Sequence, residues 1–336
     1  MKNATICLAQ KRIRPKLDDE CLERYEKDLE NLSSLIRANA VMSNEDVIEL
    51  TRDSLCMDDR DRVYGILGIL AKYSDEPLVS IDYSLKPKEI YKDFFINYFR
   101  LYRDLSFLKF CEMASRPSWV PDLQSLRDSS YPLESRSTRS TPGTLRVLEG
   151  DKISISGVHC GTIQISFSSV PFSSSATTIK ESITTMLAEI LGNISSQSEE
   201  AVYEKFIRAL LPYELSITTS MTELKTFLKS WQEDVPSNEQ IVSSPEGQVL
   251  NRIYRNIRGR SCHLTDDGSI ILGPGTACNG DHIYVIPGCD IPLVLRRTDG
   301  IAYRIIGTCY HSEYVNREAL LGKLPMGWEP SYEQGV

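Results

Sequence analysis

The chain has 336 residues, 41% hydrophobic and 25% charged, which is apolar material for one large domain or two ordinary ones and excludes a disordered chain. A net charge of −8 excludes a broad nucleic-acid footprint, because phosphate binding needs clustered basic surface. No apolar run nears the roughly 20 residues that cross a bilayer, and nine cysteines without a CxxC pair read as free thiols. The first residues, MKNATICLAQKRIRPK, place an apolar patch before basic residues, the reverse of a secretory signal, so a cytoplasmic location is expected.

Leu22, Tyr25, Leu29, Leu32 and Ile36 recur at spacings of three and four and predict a helix with one apolar stripe. Ser43 caps a second helix over 44–54. The run DDRDRVYGILGIL, Asp58–Leu70, starts with carboxylates suited to a helix N-terminus and turns apolar. Gly65 and Gly68 are expected to let another backbone approach. A third helix begins at Pro87 and carries Ile90, Tyr91, Phe94, Phe95, Tyr98 and Phe99, a wide aromatic face that belongs in a core.

Residues 125–143 turn to Ser, Arg, Thr and Pro and read as an exposed loop. Period two then takes over. Leu145–Val147 and Ile153–Ile155 flank Glu149-Gly150-Asp151, a hairpin signal. Ile163–Phe167 alternates as a half-buried strand. Helical pattern covers 178–191, 198–211, 222–231 and 245–257. Its end, Arg252–Arg260, reads as a solvated basic face. Strand pattern returns at Arg260, with hairpin turns at Asp267-Gly268 and Asp299-Gly300 and a strand at 281–286 between them.

The expected fold is α+β. An N-terminal helical layer (1–124) is followed by the loop (125–143), then by an antiparallel β-subdomain (144–316), a small barrel or sheet. A helical insertion at about 173–259 interrupts it, and 317–336 form a tail. Strands on both sides of the insertion must then join one sheet.

Four chemistries can be weighed on the residues. Zinc needs four converging soft or imidazole donors. Cys278, His282 and Cys289 are the candidates, but buried thiols on apolar strands and polar histidines at edges explain them better, and no metal is expected. A Cys–His nucleophile needs both side chains on one face. His159-Cys160 and Cys262-His263 are adjacent and point to opposite faces; Cys309 and His311 could share one, with nothing to activate them. The glycine-rich stretch Gly273–Gly280 leads into a strand rather than a helix, so it reads as a turn and not a phosphate cradle. In DDRDR, Arg60 and Arg62 compensate Asp58, Asp59 and Asp61, which is salt-bridged capping. Trp119 reads as a core plug. No catalytic residue and no cofactor is expected.

The segment Asp59–Gly68 (DRDRVYGILG), then Asp82-Tyr83-Ser84, Ile90-Tyr91 and Pro117-Ser118-Trp119-Val120-Pro121-Asp122 resembles, in order and spacing, the end of the core and the following region of fungal heterokaryon incompatibility proteins. The positions that carry the likeness are Asp59, Arg60, Arg62, Tyr64, Gly65, Gly68, Asp82, Tyr83, Trp119, Pro121 and Asp122, and they read as structural. Asp59 departs from a proline frequent in that family. The stretch from Gly273 to Gly307 resembles the C-terminal β-region of long members, and the likeness is thin between Phe172 and Leu250. Arg317-Glu318-Ala319 stands where the family has a Gly-Glu-Ala piece. The core's Tyr-x-Ala-Leu-Ser-Tyr-x-Trp-Gly and Arg-x-Trp-x-x-Gln-Glu patterns do not occur; no Trp precedes Trp119.

The resemblance implies fungal self/non-self recognition and programmed cell death. The form expected is truncated and non-catalytic, acting through protein contacts with other heterokaryon-incompatibility-like proteins, without nucleic acid or membrane. The alternative is an enzyme on the same scaffold, in secondary metabolism or NAD cleavage. A deep polar pocket would favour the enzyme and a packed interior would count against it.

Overall fold

The computed structural model describes residues 56–70, 78–113, 115–124, 137–138, 141–170, 176–194, 197–211, 253, 255–298 and 301–314. All belong to the unit Leu55–Val336. The helices expected at 22–36, 44–54 and 222–231, the Asp299-Gly300 turn and the tail 317–336 lie outside the described residues.

Helix α1 (Asp61–Leu70) follows a turn at 58–60 and has Asp61 in its first turn, where a negative charge suits the free N–H groups. Val63, Tyr64 and Ile66 are buried. Gly65 is exposed, and no atom lies within 4 Å of where a Cβ would stand, so the close backbone approach expected there does not occur. Gly68 lies in the same helix.

Helix α2 (Pro87–Tyr102) starts as its proline dictates. The Lys86 N–H donates to the Glu89 carboxylate at 2.9 Å, and Arg103 ends the helix in the left-handed conformation, its N–H bonded to Phe99 O at 2.8 Å. Ile90, Tyr91, Phe94, Phe95, Ile96, Tyr98 and Phe99 are all buried. Phe95 stacks at 4.8 Å on Phe107 of a short 3-10 helix, Ser106–Phe110.

Strands β1 (Leu145–Leu148) and β2 (Lys152–Ile155) form a separate hairpin. Gly150 and Asp151 take φ of 70° and 57°, the left-handed turn that the sequence signals. Strands β3 (Val158–Ser166), β4 (Arg260–Thr265), β5 (Ile270–Pro274), β6 (His282–Ile286), β7 (Cys289–Arg297) and β8 (Tyr303–Thr308) make one antiparallel sheet in the order β5-β4-β3-β6-β7-β8. The strand before the insertion, β3, therefore lies between two strands that follow it, as the α+β reading requires. The sheet curls. Its edges are linked where Leu272 and Tyr310 exchange backbone hydrogen bonds at 3.2 and 2.8 Å. Cys160, Ile163, Ile271, Ala277, Ile283, Val285, Val294, Ile306 and Cys309 fill the concave side, with Met113 and Tyr314 against them. Small barrels are filled by side chains in this way.

Helices α3 (Ala176–Asn193) and α4 (Glu199–Leu210) pack on each other, and α4 packs on β5. The Ser198 hydroxyl caps α4 by accepting from Ala201 N–H. After them the chain returns at Arg260, and here the sequence misleads. Arg255 and Arg258 are exposed, but Arg260 is 2% exposed and donates to Asn256 O at 2.7 Å. The basic run is only partly a solvated face, because strand β4 is buried on both sides.

The stretch 125–143 is not simply an exposed loop. Ser137 and Thr138 are buried, bonded to Asp290 through the Ser137 N–H at 3.0 Å and the Thr138 hydroxyl at 2.8 Å. Gly143 meets Gly288, which has φ +86°, so closely that a Cβ on Gly288 would stand 2.9 Å from the Gly143 backbone. This contact ties the end of α2, the start of β1 and the β6–β7 turn together, with Leu105 N–H bonded to Gly288 O at 2.7 Å and Gly143 N–H to Arg103 O at 2.8 Å. The 3-10 helix continues the contact by packing on β7 and β8. Among the described residues, no helix is long and apolar enough to cross a membrane.

Candidate functional site

Three segments far apart in sequence meet at the start of α1. Arg60 stands at their centre. Its Nε and Nη2 donate to the Asp58 carboxylate at 2.8 and 2.6 Å. Its Nη1 donates to Leu85 O at 3.2 Å and to Tyr83 O, and its guanidinium lies 5.1 Å from the centre of the Tyr83 ring. The Tyr83 hydroxyl donates to Asp61 at 2.6 Å, and the Tyr64 ring meets Tyr83 edge-on at 5.2 Å. The Tyr64 hydroxyl donates to Asp82 O at 2.8 Å and accepts from Asp82 N–H at 2.9 Å. The Asp82 carboxylate accepts the N–H and hydroxyl of Ser84, closing a tight turn.

Asp59 joins the third segment. Its carbonyl accepts from the Tyr91 hydroxyl at 2.7 Å, its carboxylate accepts from the Gln124 amide, and Arg62 lies 3.9 Å away. Gln124 is held by its own N–H to the Asp122 carboxylate at 3.2 Å, after the buried Pro121. Trp119 is 5% exposed and donates from Nε1 to Asp151 O at 2.7 Å, fastening the β1–β2 turn, which Lys92 also holds at 2.9 Å. The structure thus gathers Asp59, Arg60, Arg62, Tyr64, Asp82, Tyr83 and Asp122 around one joint. Pro121 and Trp119 extend it, and Gly65 lies apart on an exposed face.

The electrostatics of this joint hold protons rather than move them. Hydrogen bonds from Arg60 pull Asp58 down to about 2, and those from Ser84 lower Asp82. The hydrogen bond to Asp61 pushes Tyr83 up to about 12, and burial raises Tyr91. These carboxylates stay ionised and these phenols protonated across the neutral range, whereas a general acid or base works best near the operating pH.

The thiols and imidazoles of the barrel are placed differently. His159 is exposed while Cys160 is buried in the core, on opposite faces of β3. His263 is wholly buried, with Nδ1 2.9 Å from the Ser166 hydroxyl and Nε2 3.2 Å from Pro274 O. Burial lowers His263 and His311 to about 4. Burial also pushes Cys160 up to about 11 and Cys262 to about 12, and raises Cys309. Thiols kept protonated in this way are inert as nucleophiles. Cys309 and His311 are both buried, and among the described residues no hydrogen bond joins their side chains.

Cys278, His282 and Cys289 are not brought together. Cys289 is fully buried and Cys278 is exposed in the β5–β6 loop. Among the described residues, no three His, Cys, Asp or Glu side chains converge as metal ligands. The glycine-rich stretch 273–280 turns its amides inward. Cys278 N–H donates to Asp281, Ala277 N–H to Pro274 O and Gly280 N–H to Ile163 O. Arg296 braces the loop by pairing with the buried Asp281 at 2.8 Å and donating to Thr276 O at 3.0 Å.

One cluster escaped the sequence reading. On the exposed face of the sheet, His159 Nε2 and His282 Nδ1 stand 3.2 Å apart, with the Thr162 hydroxyl beside both. Alternation puts His159 and Thr162, three apart, on opposite faces. The register shift between His159 and Gly161 adds the residue that brings them to the same face, and the sequence carries no clear signal for it.

Residues 179–319 match the family model of the Het-6 beta-barrel domain, a fungal family related to heterokaryon incompatibility proteins. The match runs from within α3 through α4 and β4 to β8, and includes most of the stretch between Phe172 and Leu250 where the likeness is thinnest to the eye. Strand β3 and the joint around Arg60 precede it. No curated protein and no solved structure matches the chain.

Proposed function

We propose that this chain is a heterokaryon-incompatibility-like protein of fungal self/non-self recognition and programmed cell death, working in the cytoplasm through protein contacts and without catalysis of its own. Its partners are other heterokaryon-incompatibility-like proteins. The observation that carries this reading is the filled interior of the barrel: nine buried residues, apolar or small, form one packed cluster, whereas a ligand cleft is open and lined with convergent polar groups. Three features add support. The titratable groups of the joint are tied up in fixed hydrogen bonds, the barrel thiols are held protonated by burial, and the family match falls on the barrel. An enzyme on this scaffold would need an open cleft with a group poised near neutral pH.

The test is expression of the tagged chain in a filamentous fungus together with full-length heterokaryon-incompatibility-like proteins. The expected result is co-purification of at least one of them, and no release of nicotinamide when the purified chain is incubated with NAD. Failure to associate with any of them contradicts the contact reading. Nicotinamide release by the purified chain establishes the enzyme instead.

A further inference from the structure

We propose that His159, Thr162 and His282 form a surface site for a divalent transition metal of the zinc, nickel and copper class. The three donor atoms lie within 3.5 Å of one another. His159 Nε2 and His282 Nδ1 are 3.2 Å apart, and the Thr162 hydroxyl is 3.5 and 3.4 Å from them. Tetrahedral ligands on bonds of about 2.0–2.1 Å are separated by roughly 3.3–3.4 Å, so this triangle has the dimensions of one face of a zinc-type tetrahedron. A hydrogen bond explains one side of the triangle. The other two sides, at 3.5 and 3.4 Å, lie at the long limit of hydrogen bonding.

The framework of the site is rigid. Thr162 pairs directly with His282, and His159 with Tyr284, across neighbouring strands. The β3 bulge turns His159 to the face of Thr162. The Tyr284 ring lies edge-on to His159 at 5.2 Å, and the Tyr303 ring to His282 at 5.7 Å, which limits how either imidazole can rotate. The two tyrosine hydroxyls are 3.3 Å apart and engage each other. The Asp266 carboxylate accepts the Thr162 N–H at 3.0 Å and sets a negative charge at the edge of the site, which opposes that of Arg297. His159 is exposed, so an ion can enter and water can fill the fourth position. Imidazole donors select zinc, nickel and copper over magnesium and calcium. The site stands apart from the protein-contact reading and holds with or without it.

The test uses the purified full chain, titrated calorimetrically with nickel chloride and with magnesium chloride at pH 7.5. The variants are His159→Ala and His282→Ala, both outside the core. Wild type is expected to bind one nickel ion that either variant loses or binds at least ten-fold more weakly. Thr162→Val should weaken binding by a smaller factor, and magnesium should not compete. A proton NMR titration of the wild type gives the second measurement. Among the four histidines, nickel should broaden the ring signals of His159 and His282 first and spare the buried His263 and His311. No binding by wild type, binding by both histidine variants as tight as by wild type, or broadening that spares the exposed pair overturns the proposal.

Discussion

The joint around Arg60 and the barrel around Ile283 are held by different forces, although both draw on residues far apart in sequence. At the joint, polar and aromatic side chains meet at the edge of solvent. Arg60 serves two carbonyls, a carboxylate and an aromatic ring, and its neighbours answer with directed hydrogen bonds. In the barrel, aliphatic side chains from five strands pack with almost no exposure, and the backbone ladder sets their register. A polar joint specifies which segments meet. A packed barrel supplies most of the stability, because burial scales with apolar area while exposed ion pairs contribute little.

That contrast predicts a graded set of losses. Ile283→Ala, in the barrel core, should destabilise the fold by about 4 kcal/mol, read from the urea midpoint. Acid should act on the same region. The imidazoles of His263 and His311 protonate near 6.5 when unfolded and only near 4 when folded. Their contribution is complete above pH 6.5 and is lost as pH falls toward 4. It amounts to about 3 kcal/mol for each. Urea titrations at pH 7, 5.5 and 4.5 should trace the loss, and stability unchanged across that window would show that these rings are not held neutral.

Asp281→Ala leaves the Arg296 guanidinium without its buried carboxylate and should cost about 3 kcal/mol, by thermal unfolding. At the joint the effects shrink. Tyr64→Phe removes a hydroxyl that both donates to and accepts from Asp82, and should cost about 1.5 kcal/mol. Arg60→Ala should cost least of all, and raised salt should diminish the difference. If Arg60→Ala proved as damaging as Ile283→Ala, the distinction between the two regions would collapse.

The same contrast explains what could be read from the sequence. Local chemistry was legible: Pro87 starting α2, the turn at Gly150-Asp151, the turn at Asp267-Gly268, and the alternating burial over Ile163–Phe167. The joining of strands across the insertion followed from topology. What stayed hidden depends on distant partners. Gly143 and Gly288 are small because their backbones touch, and nothing beside either in sequence says so. Ser137 and Thr138 lie in a polar stretch that reads as solvent-facing until Asp290 receives them. Arg260 reads as a surface charge until it is found buried at the start of β4, donating to Asn256 O. His159 and His282 meet only because a bulge breaks the alternation that strand reasoning relies on.

The most direct test of the curled sheet as a filled framework, linked at its edges by Leu272 and Tyr310, is native-state hydrogen exchange. The amides of Ile163, bonded to Asp281 O, and of Leu272 and Tyr310, which close the sheet, should exchange together and only through global unfolding. The amide of Asp82 at the joint should exchange earlier. Fast exchange at Leu272 and Tyr310, independent of Ile163, would mean that the barrel opens along that seam, and would contradict a framework without a working cleft.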